Sequence, residues 1–202
     1  MRRGHRRVLL WDVMSTLVRD PFYEDVPRFF GTSLPELVAI KDPHAWPAFE
    51  RGHIDGAQLC ERFFLDRRPV DGPGLRATMS DGYAWLPGVE EIVAELADAG
   101  VEMHALSNYP RWFELIEERL SPSRYLAWTF VSCKTGLRKP EAAAYRHAVS
   151  ALGVRPADAT FVDDRDDNCA AAQACGLKAV RFEDASRLRR ALFRDGWPLR
   201  PG

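Results

Sequence analysis

Four polar groups in this chain of 202 residues are of the types that act on phosphate esters, and each lies at or beyond the end of an apolar segment. In chain order they are Asp12, the pair Ser107 and Asn108, Lys139, and the pair Asp163 and Asp164. A carboxylate such as Asp12 is a nucleophile, while an ammonium group stabilises charge on a transferring phosphoryl group. Further carboxylates favour Mg²⁺, which would offset the repulsion between two anions. This order of residues predicts phosphoryl transfer with Mg²⁺ as the cofactor.

The elements that must position these groups alternate between strand and helix along most of the chain. Short apolar runs predict five strands, at residues 8–11, 101–106, 125–132, 159–162 and 178–182. Apolar residues at helical spacing predict helices at residues 89–100, 110–120, 141–152, 167–175 and 184–194. This alternation predicts an α/β fold, a doubly wound parallel five-stranded sheet with helices on both faces. The carboxyl ends of the strands, and with them the four polar groups, should face one crevice.

One long stretch, residues 20–84, interrupts this alternation between the first and second strands and contains no convincing strand. Turn residues divide it into candidate helices at residues 34–41, 45–51, 55–66 and 74–80. The predicted organisation is therefore a core domain made of residues 1–19 and 85–202, and a helical cap made of residues 20–84.

The composition excludes several other classes of protein. Lys and Arg number 28 against 29 Asp and Glu, a net charge of −1 that gives no general attraction to nucleic acid. No apolar run is long enough to cross a membrane or to follow the basic N-terminus as a signal peptide would, so a cytoplasmic location is expected. The four scattered cysteines predict reduced thiols. The basic segment at residues 1–7 is interpreted as a solvated tail, with a phosphate-contacting arm as the alternative.

The four polar groups resemble the four motifs of the haloacid dehalogenase-like hydrolase superfamily. The matching segments are DVMSTL from Asp12, Ser107-Asn108, Lys139-Pro140, and FVDD ending at Asp164 with Asn168 beyond it. The resemblance implies that Asp12 attacks phosphorus and that Mg²⁺ is held by Asp12, the backbone carbonyl of Met14 and Asp164, with Asp163 also at the metal. It also implies that the insertion is a cap of the C1 type. The remaining implied roles are phosphate binding by Ser107, Asn108 and Lys139, and support by Thr16, Asp163 and Asn168.

Within that superfamily the chain looks most like the plant plastid FMN hydrolase branch. The similar segments are residues 18–26, 107–110, 125–130 and 138–140, and the similarity runs from about residue 8 to about residue 192. The resemblance implies a small phosphate ester as partner, either FMN or a related phosphorylated flavin compound, and a monomer or homodimer. Tyr109 and Trp46 are candidates to stack on a flat ring. Three arginines, Arg28, Arg51 and Arg111, are candidates for further contacts with such a substrate.

One position departs from the family's phosphatases. They carry a second aspartate two residues after the nucleophile as general acid and base, whereas this chain has Met14. A thioether cannot transfer a proton, and general acid-base help is worth on the order of 10² to 10⁴ in rate. The departure predicts slow turnover of alkyl phosphates unless another group substitutes. The candidate substitutes are Ser15, His44, His53 and a water on the metal.

Two other functions remain open at this point. Displacement of halide from carbon needs an aspartate nucleophile but neither a proton donor nor a metal, so a 2-haloacid dehalogenase would tolerate Met14. The acidic pair, Asp163 and Asp164, counts against it because carboxylates suit a cation. A regulatory protein that binds phosphate without useful catalysis would also tolerate Met14. The sequence favours phosphate ester hydrolysis over both.

Overall fold

The computed structural model describes residues 6–201, and its centre is a five-stranded sheet in which every pair of neighbouring strands is parallel. The spatial order is β3-β2-β1-β4-β5. The strands are β1 (Val8–Trp11), β2 (Glu102–Ser107), β3 (Ala127–Val131), β4 (Ala159–Asp163) and β5 (Lys178–Arg181). This order confirms the predicted doubly wound α/β sheet.

Strand β1 lies at the middle of the sheet because all four of its residues are apolar and buried. Trp11 pairs with Ala105 of β2 on one side and with Val162 of β4 on the other. The chain builds β2 and β3 on the first side and then crosses to build β4 and β5 on the second. At such a reversal the loops that leave neighbouring strands diverge, and a crevice opens at the carboxyl end of the central strand. Asp12 lies at that point.

Helices cover both faces of the sheet, and the alternation of side chains along β1 explains how. Leu9 and Trp11 belong to one apolar cluster with the helices at residues 89–98, 113–120 and 185–194, while Val8 and Leu10 belong to another with the helices at residues 142–152 and 166–174. The core helices are α6 (Val89–Asp98), α7 (Phe113–Leu120), α8 (Ser132–Thr135), α9 (Ala142–Leu152), α10 (Asp166–Ala174) and α11 (Ala185–Arg194). Short 3₁₀ helices at Pro122–Arg124 and Pro156–Asp158 precede β3 and β4.

The insertion is helical, as predicted, but begins earlier than the apolar spacing suggested. It contains a 3₁₀ helix (Pro21–Tyr23) and then α1 (Asp25–Phe29), α2 (Leu34–Ile40), α3 (Ala45–Glu50), α4 (Gly56–Arg62) and α5 (Gly72–Gly82). Side-chain caps fix several of the starts, since Ser33 and Asp55 each accept from the backbone three residues later. Helix α4 ends four residues before the predicted limit because Phe64 bridges to Lys41.

The chain enters and leaves the insertion through two adjacent segments. Val18 bridges to Trp85 in antiparallel fashion, Arg19 N donates to Ala84 O at 2.8 Å, and Leu86 N donates to Leu17 O at 2.9 Å. The two crossings therefore hold each other at the edge of the crevice. The predicted limits of the cap, residues 20 and 84, lie beside this pairing and remain a prediction.

The basic N-terminal segment is described only from Arg6 onward, so the interpretation of residues 1–5 lies outside the described part of the chain. Arg6 and Arg7 do not belong to a solvated tail. Arg6 Nε donates to Glu102 Oε2 at 2.6 Å. Arg7 Nη2 lies 2.6 Å from Asp195 Oδ2, and its guanidinium stacks 4.1 Å from the centre of a Trp197 ring. These contacts tie the start of β1 to the sheet and to the C-terminal segment.

Candidate active site

Asp12 directly follows β1 at the crevice, and only 7% of its surface is exposed. Its backbone N–H continues the sheet pairing by donating to Val162 O at 2.9 Å. Its side-chain Oδ1 accepts from Ser107 Oγ at 3.1 Å and lies 2.8 Å from Lys139 Nζ. The structure therefore brings together the predicted nucleophile and two of the predicted phosphate-binding residues. The second oxygen of Asp12 is the one left to attack.

Lys139 is 3% exposed and is held from both ends. Its Nζ donates to Asp163 Oδ2 at 2.6 Å as well as facing Asp12. Asn108 fixes its backbone, because Nδ2 donates to Lys139 O and Oδ1 accepts from Lys139 N, both at 2.8 Å. Both polar atoms of the Asn108 amide therefore bind the backbone of Lys139. Its predicted direct contact with phosphate remains a prediction.

The acidic pair lies at the end of β4, where Asp163 is fully buried and Asp164 is half-buried. Asn168 Nδ2, in the first turn of α10, donates to both oxygens of Asp163 at 3.0 and 3.1 Å. This contact fits the predicted supporting role of Asn168. Tyr145 OH in turn donates to Asn168 O at 2.9 Å. Asp163 is therefore fully engaged, by Lys139 on one side and Asn168 on the other, while Asp164 faces the crevice.

The carboxylates of Asp12, Asp163 and Asp164 form a cluster that suits a divalent cation. One oxygen from each lies within 4.8 Å of the other two. When all three are ionised they carry three negative charges, and Lys139 supplies one positive charge in contact with two of them. Hard carboxylate oxygens in excess of the local positive charge are the donor set that Mg²⁺ takes. The residues present therefore fit the predicted cofactor.

The pKa values of these groups reflect the same excess of negative charge. Burial raises the pKa of Asp12 to about 7, with Lys139 acting in the opposite direction and Asp163 adding to the rise. Burial and the charge of Asp163 likewise raise the pKa of Asp164. Burial alone would lower the pKa of Lys139, but Asp12 and Asp163 outweigh it, and its pKa is raised. A cation in the cluster favours the ionised carboxylates that the reaction needs.

The loop after Asp12 folds back on itself. Ser15 has a left-handed backbone (φ 58°), its N–H donates to Val18 O at 2.8 Å, and Met14 bridges to Val18. This turn keeps Met14 against the cavity with 9% of its surface exposed. Thr16 is fully buried, and its hydroxyl has no hydrogen-bond partner among residues 6–201. The predicted supporting role of Thr16 is therefore not visible as a hydrogen bond.

A cavity of about 420 Å³ opens above the acidic cluster between the core and the insertion. The core lines it with Asp12, Met14, Ser15, Asn108, Tyr109, Arg138, Lys139, Pro140, Asp164, Arg165 and Asn168. The insertion contributes Asp20, Phe22, Tyr23, Lys41, Trp46 and Glu50. A substrate whose phosphate reaches Asp12 would therefore contact the insertion with the rest of its surface.

The two aromatic residues predicted to hold a flat ring differ in their environment. Tyr109 is 3% exposed, its hydroxyl lies 2.6 Å from that of Tyr83, and its ring meets Trp46 edge to face at 6.1 Å. Trp46 is half-buried, and its Nε1 donates to Glu50 Oε1 at 2.7 Å. Tyr109 therefore acts mainly as a wall behind Trp46. Stacking of a substrate on either ring remains a prediction.

An ion pair across the cavity was not predicted from the sequence. Glu50 at the end of α3 is 7% exposed, and its Oε2 accepts from Arg138 Nε at 2.8 Å and lies 2.5 Å from Nη2. The same end of α3 is bound to the core through Ser132 Oγ, which donates to Glu50 O at 2.5 Å. Arg138 precedes Lys139, so this pair links the insertion to the residue beside the predicted stabilising cation. An acid at the end of a short helix gives no sequence signal of such a role.

Several other sequence candidates lie away from the cavity. Arg28 and Arg111 are exposed and pair with acids of their own helices or turns, so neither lines it. Arg51 instead binds Gly136 O of the core. His44 and His53 are also exposed and do not line the cavity, so neither is placed to exchange a proton there. Of the side chains proposed to replace the missing acid, Ser15 alone lines it.

Comparison with known proteins agrees with this geometry. A model of the haloacid dehalogenase-like hydrolases matches residues 74–176. A chloroplast flavin mononucleotide hydrolase of Arabidopsis thaliana is 45% identical over 191 residues, 95% of this chain and 78% of that protein. The sesquiterpene phosphatase astK of Aspergillus oryzae is 27% identical, over 76% of this chain and 80% of that protein.

Solved structures share the fold at low sequence identity. One is a HAD family enzyme of Bacteroides thetaiotaomicron in complex with magnesium and inorganic phosphate, with TM-score 0.70, 17% identity and coverage of 88% of this chain and 94% of that one. Another is a dehalogenase, with TM-score 0.64, 19% identity and coverage of 90% and 86%. At such low identity these structures establish the fold, and they do not distinguish phosphate ester hydrolysis from dehalogenation. With the family model and the flavin mononucleotide hydrolase taken together, the chain belongs to the haloacid dehalogenase-like hydrolase family.

Proposed function

We propose that this protein is a Mg²⁺-dependent phosphomonoester hydrolase that acts on a small metabolite through an aspartyl-phosphate intermediate. The observation that carries the proposal is the position of Asp12, whose Oδ1 lies 2.8 Å from Lys139 Nζ and accepts from Ser107 Oγ at 3.1 Å. The same carboxylate shares a cation-sized cluster with Asp163 and Asp164. A nucleophile, a fixed positive charge and a metal site thus meet at one point, as phosphoryl transfer requires.

Each side chain of the site has a distinct role in the proposed reaction. Asp12 attacks phosphorus while the ammonium group of Lys139 and the hydroxyl of Ser107 face the phosphate oxygens that gain charge. Asn108 and Asp163 keep Lys139 in place, one through its backbone and the other through Nζ. A Mg²⁺ ion bound by the acidic cluster supplies positive charge that offsets the repulsion between nucleophile and phosphate. The insertion covers the cavity and limits the access of bulk water.

FMN is the substrate that the relatives favour, because a protein named for that hydrolysis is 45% identical over 95% of this chain. The cavity of about 420 Å³ lies within the size range of small-molecule sites, about 300–1,000 Å³. Trp46 lines that cavity and is only half-buried, which leaves part of its indole available to a flat ring. We therefore extend the proposal to FMN or a related phosphorylated flavin compound.

The test is release of inorganic phosphate from p-nitrophenyl phosphate and from FMN, with Mg²⁺ and then with EDTA. We expect turnover with Mg²⁺, its loss in EDTA, and its loss in an Asp12→Asn variant that remains folded by circular dichroism. Metal-independent release of halide from a 2-haloacid would instead support a dehalogenase. Binding of inorganic phosphate without turnover of either ester would support the regulatory alternative.

The remaining attributes of the protein stay predictions from its sequence. Among residues 6–201, no helix combines the length and the apolar character that a bilayer crossing needs. From the sequence we propose a cytoplasmic location, a monomeric or homodimeric state and no nucleic-acid partner.

A further inference from the structure

Asp20 lies in the catalytic cavity although it is eight residues beyond the nucleophile. The turn after Asp12 brings the chain back beside Met14, which bridges to Val18, and Asp20 follows two residues later. Arg19 N, bonded to the backbone of Ala84, fixes this part of the chain at the edge of the crevice. Asp20 consequently lines the same cavity as Asp12 and Met14.

Four carboxylic side chains line the cavity, and three of them belong to the metal cluster or to an ion pair. Asp12 and Asp164 belong to the metal cluster, and Glu50 is paired with Arg138 and bonded by Trp46. In Asp20, Oδ1 accepts from the backbone N–H of Phe22 at 2.9 Å, as the cap of the 3₁₀ helix. Its other oxygen has no hydrogen bond or ion pair among the described residues. One oxygen of Asp20 is thus held by the backbone, and the other is available to exchange a proton with a molecule bound in the cavity.

We infer that Asp20 is the general acid and base of this enzyme, in the role that Met14 cannot fill. Because the inference concerns how the ester bond is broken and the intermediate hydrolysed, it rests on the proposed phosphatase function. Ser15 also lines the cavity, but an unassisted serine hydroxyl is too weak an acid at neutral pH.

The proton balance of the two half-reactions is simple. In the first, Asp12 forms a bond to phosphorus, the ester bond between phosphorus and the leaving oxygen breaks, and the proton of Asp20 moves to that oxygen. In the second, water forms a bond to phosphorus, the bond from phosphorus to Asp12 breaks, and Asp20 takes the proton of the water. Inorganic phosphate leaves, Asp12 is again a carboxylate, and Asp20 is again protonated. No other reactant is needed.

The surroundings of Asp20 favour its protonated form before the first step. Burial is the main cause that raises its pKa; the charge of Asp164 adds to the rise, while the N–H of Phe22 and the charge of Arg19 oppose it. Burial and the charge of Asp20 raise the pKa of three tyrosines, Tyr23, Tyr83 and Tyr109, so these phenols are neutral at physiological pH. Burial acts whether or not the acidic cluster holds a cation.

The experiment compares two esters of similar shape, phenyl phosphate and p-nitrophenyl phosphate. Phenolate leaves poorly without a proton, whereas nitrophenolate leaves without help, so an acid matters only for the first ester. For Asp20→Asn, which keeps an oxygen to cap Phe22 N, we expect phosphorylation by phenyl phosphate to slow by about 10²-fold. With p-nitrophenyl phosphate we expect a burst of nitrophenolate near one equivalent, followed by slow turnover, because the intermediate lacks its base.

A double-mutant cycle and a control complete the test. Met14→Asp should restore phenyl phosphate turnover by at least about tenfold in the Asp20→Asn background, and should add less than about threefold to the wild type. The exposed neighbour Glu24, which does not line the cavity, gives the control Glu24→Gln, expected to retain wild-type rates. Equal losses on both esters without a burst, or an unchanged Asp20→Asn enzyme, would overturn the role of Asp20. A wild type that turns over neither ester would overturn the proposed function itself.

Discussion

Replacing Glu50 by glutamine should change the free energy of unfolding by less than about 1 kcal/mol at neutral pH, whereas replacing Arg138 by glutamine should lower it clearly. The two side chains form one ion pair, with Glu50 Oε2 2.8 Å from Arg138 Nε and 2.5 Å from Nη2. At an effective dielectric constant of ~20, opposite charges about 4 Å apart attract by about 4 kcal/mol. Removing a carboxylate from water costs several kcal/mol, about as much as this attraction.

The pKa of Glu50 decides between these two opposing effects. Burial raises it even though Arg138 pairs with the carboxylate and Trp46 donates to it. The ionised carboxylate is therefore a net cost to the folded protein, and the glutamine variant removes this cost while keeping an oxygen for Trp46. The arginine variant leaves a carboxylate without its cation. Full burial would make that worth about 3–5 kcal/mol, and because Arg138 is 26% exposed and Glu50 is free to take a proton, we expect about 2–3 kcal/mol.

The pH dependence has a definite sign. Because the pKa of Glu50 is raised in the folded protein, the cost of its ionisation is absent below the pKa of the unfolded chain. The cost grows with pH between the unfolded and the folded pKa, and it is constant above the folded pKa. The stability of the wild type relative to Glu50→Gln should therefore fall as pH rises from about 4 toward neutrality. Arg138 and Lys139 are the cations that face Glu50, and the pKa of Lys139 is itself raised by its acidic neighbours.

Urea unfolding of both variants across this pH range measures these differences. Arg51→Gln is the matched control, because the adjacent Arg51 pairs with the more exposed Glu141 and should contribute less than about 1 kcal/mol. A Glu50→Gln variant that loses more than Arg138→Gln, or a wild type that gains on Glu50→Gln with rising pH, would refute the reasoning.

Three further predictions concern the packing of the insertion and the metal. Gly52→Ala should lower the free energy of unfolding by about 2 kcal/mol, since φ is +72° and a Cβ would lie 2.9 Å from Cys133 O. Gly100→Ala is the control for backbone strain alone: φ is +75° with open space around it, so it should lower the free energy of unfolding by about 1 kcal/mol. Tyr83→Phe should cost about 1–3 kcal/mol, because the buried hydroxyl of Tyr109 loses its partner at 2.6 Å. Mg²⁺ should raise the melting temperature of the wild type, and EDTA should reverse the rise.

Much of the fold could be predicted because local pattern and tertiary environment agree. The first strand was predicted at residues 8–11 and is found there, since four consecutive apolar residues suit a strand buried on both faces. The predicted end of α4 at residue 66 is wrong, because the backbone pairing of Phe64 with Lys41 takes residues 63–66 out of the helix. No apolar period reports such a pairing in advance. The helices at residues 21–29 were missed for a related reason, as they are too short to show a period.

The positions of the candidate site residues on the sheet could be predicted from chain order because parallel strands bring their carboxyl ends to one edge. Asp12, Ser107 and Asp163 each end or follow a strand, so the sheet alone places them together. Asp20 and Glu50 come from the insertion, where no sheet register relates one residue to another. Their places depend on a turn and on the docking of α3 against the core.

This difference bears on how the enzyme chooses a substrate. The groups proposed to act on phosphorus, apart from Lys139, end or directly follow strands of the sheet and would treat any phosphate monoester alike. The groups around the remainder of a substrate, Lys41, Trp46 and Glu50 among them, come from the insertion and line the cavity where the insertion packs against the core. Lys41 has no ion pair among residues 6–201, so a second anionic group on a substrate would find a cation there. Relatives with the same four motifs should therefore differ in substrate according to these residues and not according to the acidic cluster.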